Sequence, residues 1–189
     1  MEDNNIELWH IRMATGEHRG QVLDEALYEH VRREHAGDSA IVFTGDEEAI
    51  YRILRHPLAM PSTDAGAYRP GEGHPQIAGT FAAFFRMVRE QANLNLCEAV
   101  RRATLLPAQV MGFARKGRMR VGADADIAVF DPKTIYDNAA YVDKGRPDDP
   151  PEGIDFVLVG GALAVRGKEV VNAAAGRSLK CCRCCSCKV

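Results

Sequence analysis

A lone carboxylate follows a short apolar run in the segment 58–66, where Leu58–Met60 gives way to small and polar residues and then to Asp64. His74 comes 10 residues later, in a stretch rich in glycine and proline. A carboxylate can accept a proton or contact a divalent cation, and an imidazole can bind substrate or order a loop. In an α/β fold such groups project from the carboxyl ends of strands. An isolated aspartate among glycines can also simply form a turn.

The elements that would position Asp64 follow from hydrophobic periodicity. Residues 20–36 predict an amphipathic helix, and the run Ala40–Phe43 predicts a short strand. Thr44 with Glu47 is typical of a capping box, which opens a second helix. The apolar run 58–60 predicts another strand, so the order strand, helix, strand indicates a βαβ unit with parallel strands.

Three more helices are predicted after the loop. Thr80 is placed to cap a helix over Phe81–Gln91, and Asn95 to cap a helix that extends to Ala103. A shorter helix follows Pro107, because proline is tolerated in a first helical turn.

Beyond residue 117 the apolar runs predict strands. They lie at Ile127–Phe130, Ile154–Val159 and Ala162–Arg166. Gly160-Gly161 between the last two is a hairpin signal. Asp124 and Asp126 precede the first strand and are expected to cap backbone groups there. The C-terminal third therefore predicts a small β structure.

Composition excludes several classes of partner. The formal net charge of −2 argues against a surface for nucleic acid or anionic membrane, which would show clustered lysine and arginine. No apolar run approaches the ~20 residues of a membrane span. The N-terminus lacks the basic and apolar regions of a secretory signal, so a cytoplasmic location is expected.

Four segments resemble, in order and spacing, the amidohydrolase superfamily, and within it the branch of N-acyl-D-amino-acid deacylases. The segment 58–81 resembles the last barrel strand and its following loop. Leu105–Ala108 resembles the helix start before the chain leaves the barrel. The segment 117–132 resembles the crossover into a flanking β-sandwich, and 141–161 resembles the closing strands of that sandwich. Each motif alone is a weak signal, but four in order make a strong one.

The resemblance implies an α/β fold that combines the last βα elements of a TIM-type metal-dependent hydrolase barrel with part of a small C-terminal β-sandwich. It places the barrel elements in residues 1–115, the sandwich portion in 116–176 and a cysteine-rich tail, expected to be disordered, in 177–189. Such a barrel takes about 250 residues, whereas 63 residues precede Asp64. The chain is expected to be the C-terminal part of an enzyme, which requires a missing N-terminal half or associates with itself.

By the same resemblance Asp64 is the catalytic residue and a ligand of a divalent metal, usually zinc. It would accept the proton of a metal-bound water and pass it to the leaving nitrogen. In the deacylase branch an arginine after the His-Pro pair holds the substrate carboxylate, but here that position is Gln76. Arg69 in the same loop is expected to substitute, through a bidentate contact. His74, Arg69 and Gln76 are therefore the predicted substrate-binding residues.

The remaining histidines are expected to have no metal role. The family's His-x-His pair does not occur in this sequence. His30 and His35 are predicted to lie on the surface or at the end of the first helix, and His10 and His18 on or before it.

Five of the six cysteines crowd the C-terminus: Cys181, Cys182, Cys184, Cys185 and Cys187. A disulfide framework would spread its cysteines along the chain. Three interpretations remain open, namely a non-native terminus from a shifted reading frame, a soft-metal site and reversible palmitoylation. Cys97 lies in a predicted helix and is expected to be a small buried apolar residue.

The predicted function is hydrolysis of a non-peptide C–N bond, the amide of an N-acyl-D-amino acid, by the complete enzyme. This chain alone is expected to be inactive, because the metal-binding half is missing. The alternative is a non-catalytic binding or assembly module with a thiol-rich metal-binding tail. An adjacent reading frame that encodes a barrel half with His-x-His would favour the enzyme.

Overall fold

The computed structural model describes residues 6–64, 66–91 and 94–179. Its helices are α1 (Glu25–Glu34), α2 (Glu47–Arg55), α3 (Gln76–Glu90), α4 (Leu96–Ala103) and α5 (Leu105–Val110). Its strands are β1 (Ile11–Met13), β2 (Ala40–Val42), β3 (Ile127–Phe130), β4 (Ile154–Val159), β5 (Ala162–Arg166) and β6 (Glu169–Val170). The predicted tail cysteines at 181–187 lie outside the described residues.

The chain divides into two compact units. The first comprises Met1–Ile50, Thr63–Thr80 and Asn138–Pro150, and the second Tyr51–Ser62, Phe81–Asp137 and Pro151–Val189. None of the described helices is both long enough and apolar enough to cross a bilayer.

The first unit contains a short antiparallel pair. β1 pairs with β2, with Ile11 opposite Val42. Met13 at the end of β1 and Leu23 just before α1 are both buried, which gives this unit an apolar interior. Asp24 begins α1, because its carboxylate accepts the backbone N–H of Leu27 at 2.8 Å.

The expected parallel βαβ unit is wrong. β2 pairs with β1 in the antiparallel sense, and Leu58–Met60 forms no strand. Pro57 and Pro61 flank that run, and proline supplies no N–H to a strand ladder. Leu58 is 70 % exposed, so the run is not buried as a strand of a parallel sheet would be.

Two predicted helix starts are also wrong. The carboxylate of Asp46 accepts the N–H of Glu48 at 3.0 Å, so Asp46 rather than Thr44 lies at the start of α2. α3 begins at Gln76, earlier than expected, and Thr80 lies inside it. There the Thr80 hydroxyl donates to the carbonyl of Gln76 at 3.0 Å, a bond within the helix rather than a cap.

The second unit contains a helical core. The core residues are Phe84, Val88 and Ala99, with Leu54, Phe85, Leu94 and Ala103 packed against them. Asn95 caps α4 as predicted, since its side chain accepts the N–H of Glu98 at 2.8 Å. Cys97 is exposed, contrary to expectation, because α4 buries Ala99 and Arg102 instead.

Arg102 is a buried charge with several partners. Its guanidinium donates to the carbonyls of Leu54 at 2.5 Å and His56 at 2.8 Å, and to the Glu98 carboxylate at 2.8 Å. Glu98 also accepts two bonds from Arg101. Hydrogen bonds from Arg101 and then Arg102 lower the pKa of Glu98 to about 2.

The three predicted C-terminal strands are confirmed, and together with β6, which was not predicted, they form an antiparallel sheet in the order β3-β4-β5-β6. Gly160 and Gly161 adopt φ of +58° and +85°, the left-handed values that a two-residue hairpin turn requires. The Asp126 carboxylate accepts the N–H of Gly160 at 2.7 Å and pairs with Lys116. The Lys116 contact, followed by the Gly160 bond, lowers the pKa of Asp126. Asp126 therefore binds a backbone group of the β4–β5 turn, not one at the start of β3.

Candidate functional site

Gln76 holds the backbone around Asp64 through two hydrogen bonds. The side-chain amide of Gln76 donates to the carbonyl of Asp64 at 2.8 Å. In the opposite direction the Thr63 hydroxyl donates to the carbonyl of Gln76 at 3.1 Å. These two hydrogen bonds join the two ends of the loop 64–76. The Gln76 side chain is therefore bonded to the backbone of Asp64.

The carboxylate of Asp64 takes no part in these two hydrogen bonds. Asp64 is exposed, and within the described residues its carboxylate makes no hydrogen bond or ion pair. The Asp64 side chain is therefore not needed for the hydrogen bonds that hold the loop.

His74 caps the start of α3. Its Nδ1 accepts the backbone N–H of Gln76 at 3.1 Å, so the proton of the neutral ring lies on Nε2. The ring packs edge-on against Tyr141 with centroids 5.2 Å apart. Burial lowers the pKa of His74, which favours this neutral form, and burial likewise raises the pKa of Tyr141.

Arg69 opens a tight turn. Its carbonyl accepts the N–H of Glu72 at 3.0 Å, and Gly71 between them has φ of +78°, as a type II turn with proline at its second position requires. The Gly71 N–H donates to the Asp148 carboxylate at 2.9 Å. The turn is fixed through its backbone, and the Arg69 side chain is exposed, with no hydrogen bond or ion pair within the described residues.

Tyr68 was not singled out from the sequence, yet the loop packs around it. A Cβ on Gly73 would come within 2.6 Å of the Tyr68 ring, and one on Gly66 within 3.2 Å. Gly73 also has φ of +95°. Gly66 and Gly73 on either side of Tyr68 could have indicated this packing in the sequence, because glycine permits such a close approach.

The structure therefore joins three of the four predicted site residues. Gln76 contacts both His74 and Asp64, while Arg69 lies at a turn of the same loop. The described residues do not supply a set of metal ligands around Asp64. A group of possible metal ligands lies elsewhere in the described residues, and it consists of Glu17, His18, His30 and His35. Asp64 alone does not fit the divalent metal that the resemblance implies.

Comparison with known proteins agrees with the sequence resemblance. The profile of the Amidohydrolase family matches residues 7–165. An N-acyl-D-glutamate deacylase from Alcaligenes xylosoxydans xylosoxydans is 41 % identical over 123 residues, which cover 65 % of this chain and 24 % of that protein. The chain thus spans about a quarter of the length of this curated relative.

Solved structures match over a longer part of the chain. A crystal structure of a D-aminoacylase superposes with a TM-score of 0.76 at 28 % identity, and covers 88 % of this chain and 37 % of its own. An N-acyl-D-glutamate deacylase from Bordetella bronchiseptica, complexed with zinc and a phosphonate mimic of the tetrahedral intermediate, gives 0.71 at 33 % identity, with 88 % and 38 % covered. Since the family profile spans most of the sequence and these folds superpose on it, the chain belongs to the amidohydrolase family.

Proposed function

We propose that this chain is the C-terminal part of an enzyme that hydrolyses the amide bond of N-acyl-D-amino acids. Relatives that bear the names of such deacylases support this substrate class. In the complete enzyme, residues 1–115 would contribute the last elements of a TIM-type barrel and residues 116–176 part of a β-sandwich.

The observation that carries the proposal is the contrast between the backbone and the side chain of Asp64. Gln76 and Thr63 hold the backbone on either side of the loop, while the carboxylate is exposed. A fixed position with a free carboxylate suits a group that accepts a proton from the attacking water and delivers it to the leaving nitrogen.

The same loop is proposed to bind the substrate. Arg69 is exposed on a turn that Glu72 and Gly71 fix, and its guanidinium can hold the substrate carboxylate through two hydrogen bonds. His74 offers an Nε2–H donor because its Nδ1 is occupied by the Gln76 N–H. The Gln76 amide donates to the Asp64 carbonyl, so we assign it to positioning rather than to substrate contact.

A complete metal site would need ligands from outside this chain, because the described residues provide none beside Asp64. The proposed catalytic assembly therefore includes a further polypeptide segment, and the chain alone would not hydrolyse amides. The alternative, an assembly module with a metal-binding cysteine tail, depends on residues 181–187, which lie outside the described part of the structure.

The test is a chimera in which this chain replaces the matching C-terminal segment of the Alcaligenes N-acyl-D-glutamate deacylase. The zinc-loaded chimera should release D-glutamate from N-acetyl-D-glutamate. Asp64→Asn should lower its kcat about 10²–10⁴-fold, since this is the typical contribution of a general acid–base group. The matched control is Asp155→Asn, which changes an exposed aspartate of β4 and should leave kcat unchanged.

Near-normal turnover by the Asp64→Asn chimera would remove Asp64 from the mechanism. Hydrolysis by the isolated chain would contradict the proposal that its site is incomplete. A folded chimera with no activity, even before Asp64 is changed, would favour the non-catalytic alternative.

A further inference from the structure

Four ligand-type side chains of the first unit converge outside the loop 64–76. One ligand atom from each of Glu17, His18, His30 and His35 lies within 4.8 Å of the others. The three imidazole rings stand 5.2 to 5.3 Å apart, centroid to centroid. We propose that this cluster, which we call the histidine cluster, binds a zinc ion.

Two neighbouring elements bring the histidines together. His30 lies on α1, and His35 is the residue at which that helix ends, with φ of −131° and ψ of 33°. On a regular helix two residues five apart would point about 140° away from each other. The chain leaves the helix at His35, so its ring can reach the same side as that of His30.

His18 comes from the turn between β1 and α1. The N–H of Gly20 donates to the carbonyl of Met13 at 2.8 Å, and the N–H of Gln21 donates to the carbonyl of His18 at 3.1 Å. These bonds fix the turn, so the His18 ring is held against the two histidines of the helix. The site therefore rests on a fixed turn and a helix end.

The buried nitrogen of His18 points to a missing ligand. Its Nε2 is buried and has no hydrogen-bond partner among the described residues, and the carboxylate oxygen of Glu17 lies 3.4 Å away. A buried polar atom without a partner costs free energy. A metal ion between His18 Nε2 and the other three ligands would satisfy it.

Asp38 supports the cluster from behind. Its Oδ2 lies 3.8 Å from Nδ1 of His35, and this oxygen is also buried, with no hydrogen-bond partner in the part of the chain that the structure describes. Metal-bound histidines commonly direct their second nitrogen to a carboxylate. With Nδ1 of His35 turned to Asp38, Nε2 of the same ring faces Glu17 at 3.9 Å.

Gly16 makes room for that carboxylate. It has φ of +75°, and a Cβ at this position would overlap the side chain of Asp38. Glycine at the start of the turn therefore allows Asp38 to lie behind His35. The arrangement of turn, carboxylate and histidine is consistent with a built site rather than a chance meeting of surface side chains.

The donor set suits zinc in a structural role. Zinc takes imidazole nitrogen and carboxylate oxygen at about 2.0–2.2 Å, which places tetrahedral ligands roughly 3.4 Å apart. The present spread is wider, and small side-chain rotations would close it, above all in Glu17, whose side chain is 69 % exposed. Four protein ligands fill a tetrahedral shell, so the ion would tie the 16–20 turn to α1.

The test measures zinc in the full-length chain with the tail thiols removed, because thiolates would bind zinc themselves. The reference protein carries serine at the five tail positions Cys181, Cys182, Cys184, Cys185 and Cys187. After loading and desalting it should retain about one zinc ion per chain by atomic spectroscopy. His30→Ala should lose this ion, and the control His56→Ala, an exposed histidine elsewhere, should retain it.

A second readout keeps the test independent of folding failure. His30 lies in α1, where alanine is a favourable residue, so this variant should fold. Zinc should raise the Tm of the reference and of His56→Ala but not of His30→Ala. Asp38→Asn should weaken zinc binding about 10–100-fold, as expected for a residue that orients a ligand. A zinc-free reference, or equal zinc in His30→Ala and His56→Ala, would overturn the proposal.

Discussion

The loop 64–76 and the network around Arg102 both use polar side chains to hold irregular backbone, but they treat charge differently. In the loop the neutral groups Gln76 and His74 make the bonds near its ends. Of its two carboxylates, Glu72 accepts the N–H of Gly16 at 3.3 Å, whereas Asp64 is left exposed. In the network of Arg101, Arg102 and Glu98 each charged group is hydrogen-bonded, and the Arg102 guanidinium contacts two carbonyls as well as Glu98. A charge that is fully partnered contributes to the fold, whereas an unpartnered one remains available for chemistry.

The largest expected effect on stability comes from removing the buried cation. Arg102→Met should lower the free energy of unfolding by about 2–5 kcal/mol, because it leaves the carbonyls of Leu54 and His56 without their donor, at about 1–3 kcal/mol for each unsatisfied buried group. Urea unfolding followed by circular dichroism measures the change. The side chain of Arg102 is only 4 % exposed, so water cannot easily replace the lost bonds.

Arg101→Met is the matched control for this prediction. Arg101 also binds Glu98, at 2.7 and 2.8 Å, but its side chain is 36 % exposed. Solvent screens exposed pairs of this kind, so Arg101→Met should destabilise the fold much less than Arg102→Met. Equal destabilisation by Arg101→Met and Arg102→Met would show that burial does not determine how much each arginine stabilises the fold. It would contradict the contrast between partnered buried charge and exposed charge.

In the second unit, sequence patterns predicted two features whose signals are local. Asn95 lies at its helix start as expected, and Gly160-Gly161 forms the expected turn between β4 and β5. A cap or a two-residue turn is decided by residues a few positions apart. The role of Arg102 was not predicted, because its acceptors at Leu54 and His56 are distant in the sequence.

The candidate site was only partly predictable for the same reason. Asp64 and His74 were identified from a motif, and their roles remain proposals. Gln76 was noted as a departure from the family pattern. Its bond to the Asp64 carbonyl was not predicted, because the two residues lie at opposite ends of a loop and no local sequence pattern indicates that they meet. The histidine cluster was predicted to be surface residues without a metal role, since His18 and His30 meet only when the turn folds onto α1.

The next largest effect tests whether Gln76 positions Asp64 or binds substrate. In the chimera, Gln76→Ala should lower kcat about fivefold to tenfold with little change in KM, because a neutral hydrogen bond contributes about 1 kcal/mol. Steady-state kinetics with N-acetyl-D-glutamate separates the two parameters. Gln109→Ala, at an exposed position of α5, is the control. A raised KM with unchanged kcat would assign Gln76 to the substrate instead.

The smallest expected effect concerns pH, because Glu98 is partly exposed and solvent screens its pairs. Its pKa falls from 4.5 to about 2 through Arg101 and then Arg102. The folded state therefore binds fewer protons than the unfolded state, so this stabilisation is complete above pH 4.5 and is lost as the pH falls towards 2. The stability difference between the unmodified chain and Glu98→Gln should be constant from pH 7 to about pH 5 and shrink below it. Urea unfolding at a series of pH values measures that difference, and a difference that stayed unchanged down to pH 2.5 would mean that the Glu98 charge does not contribute to the network.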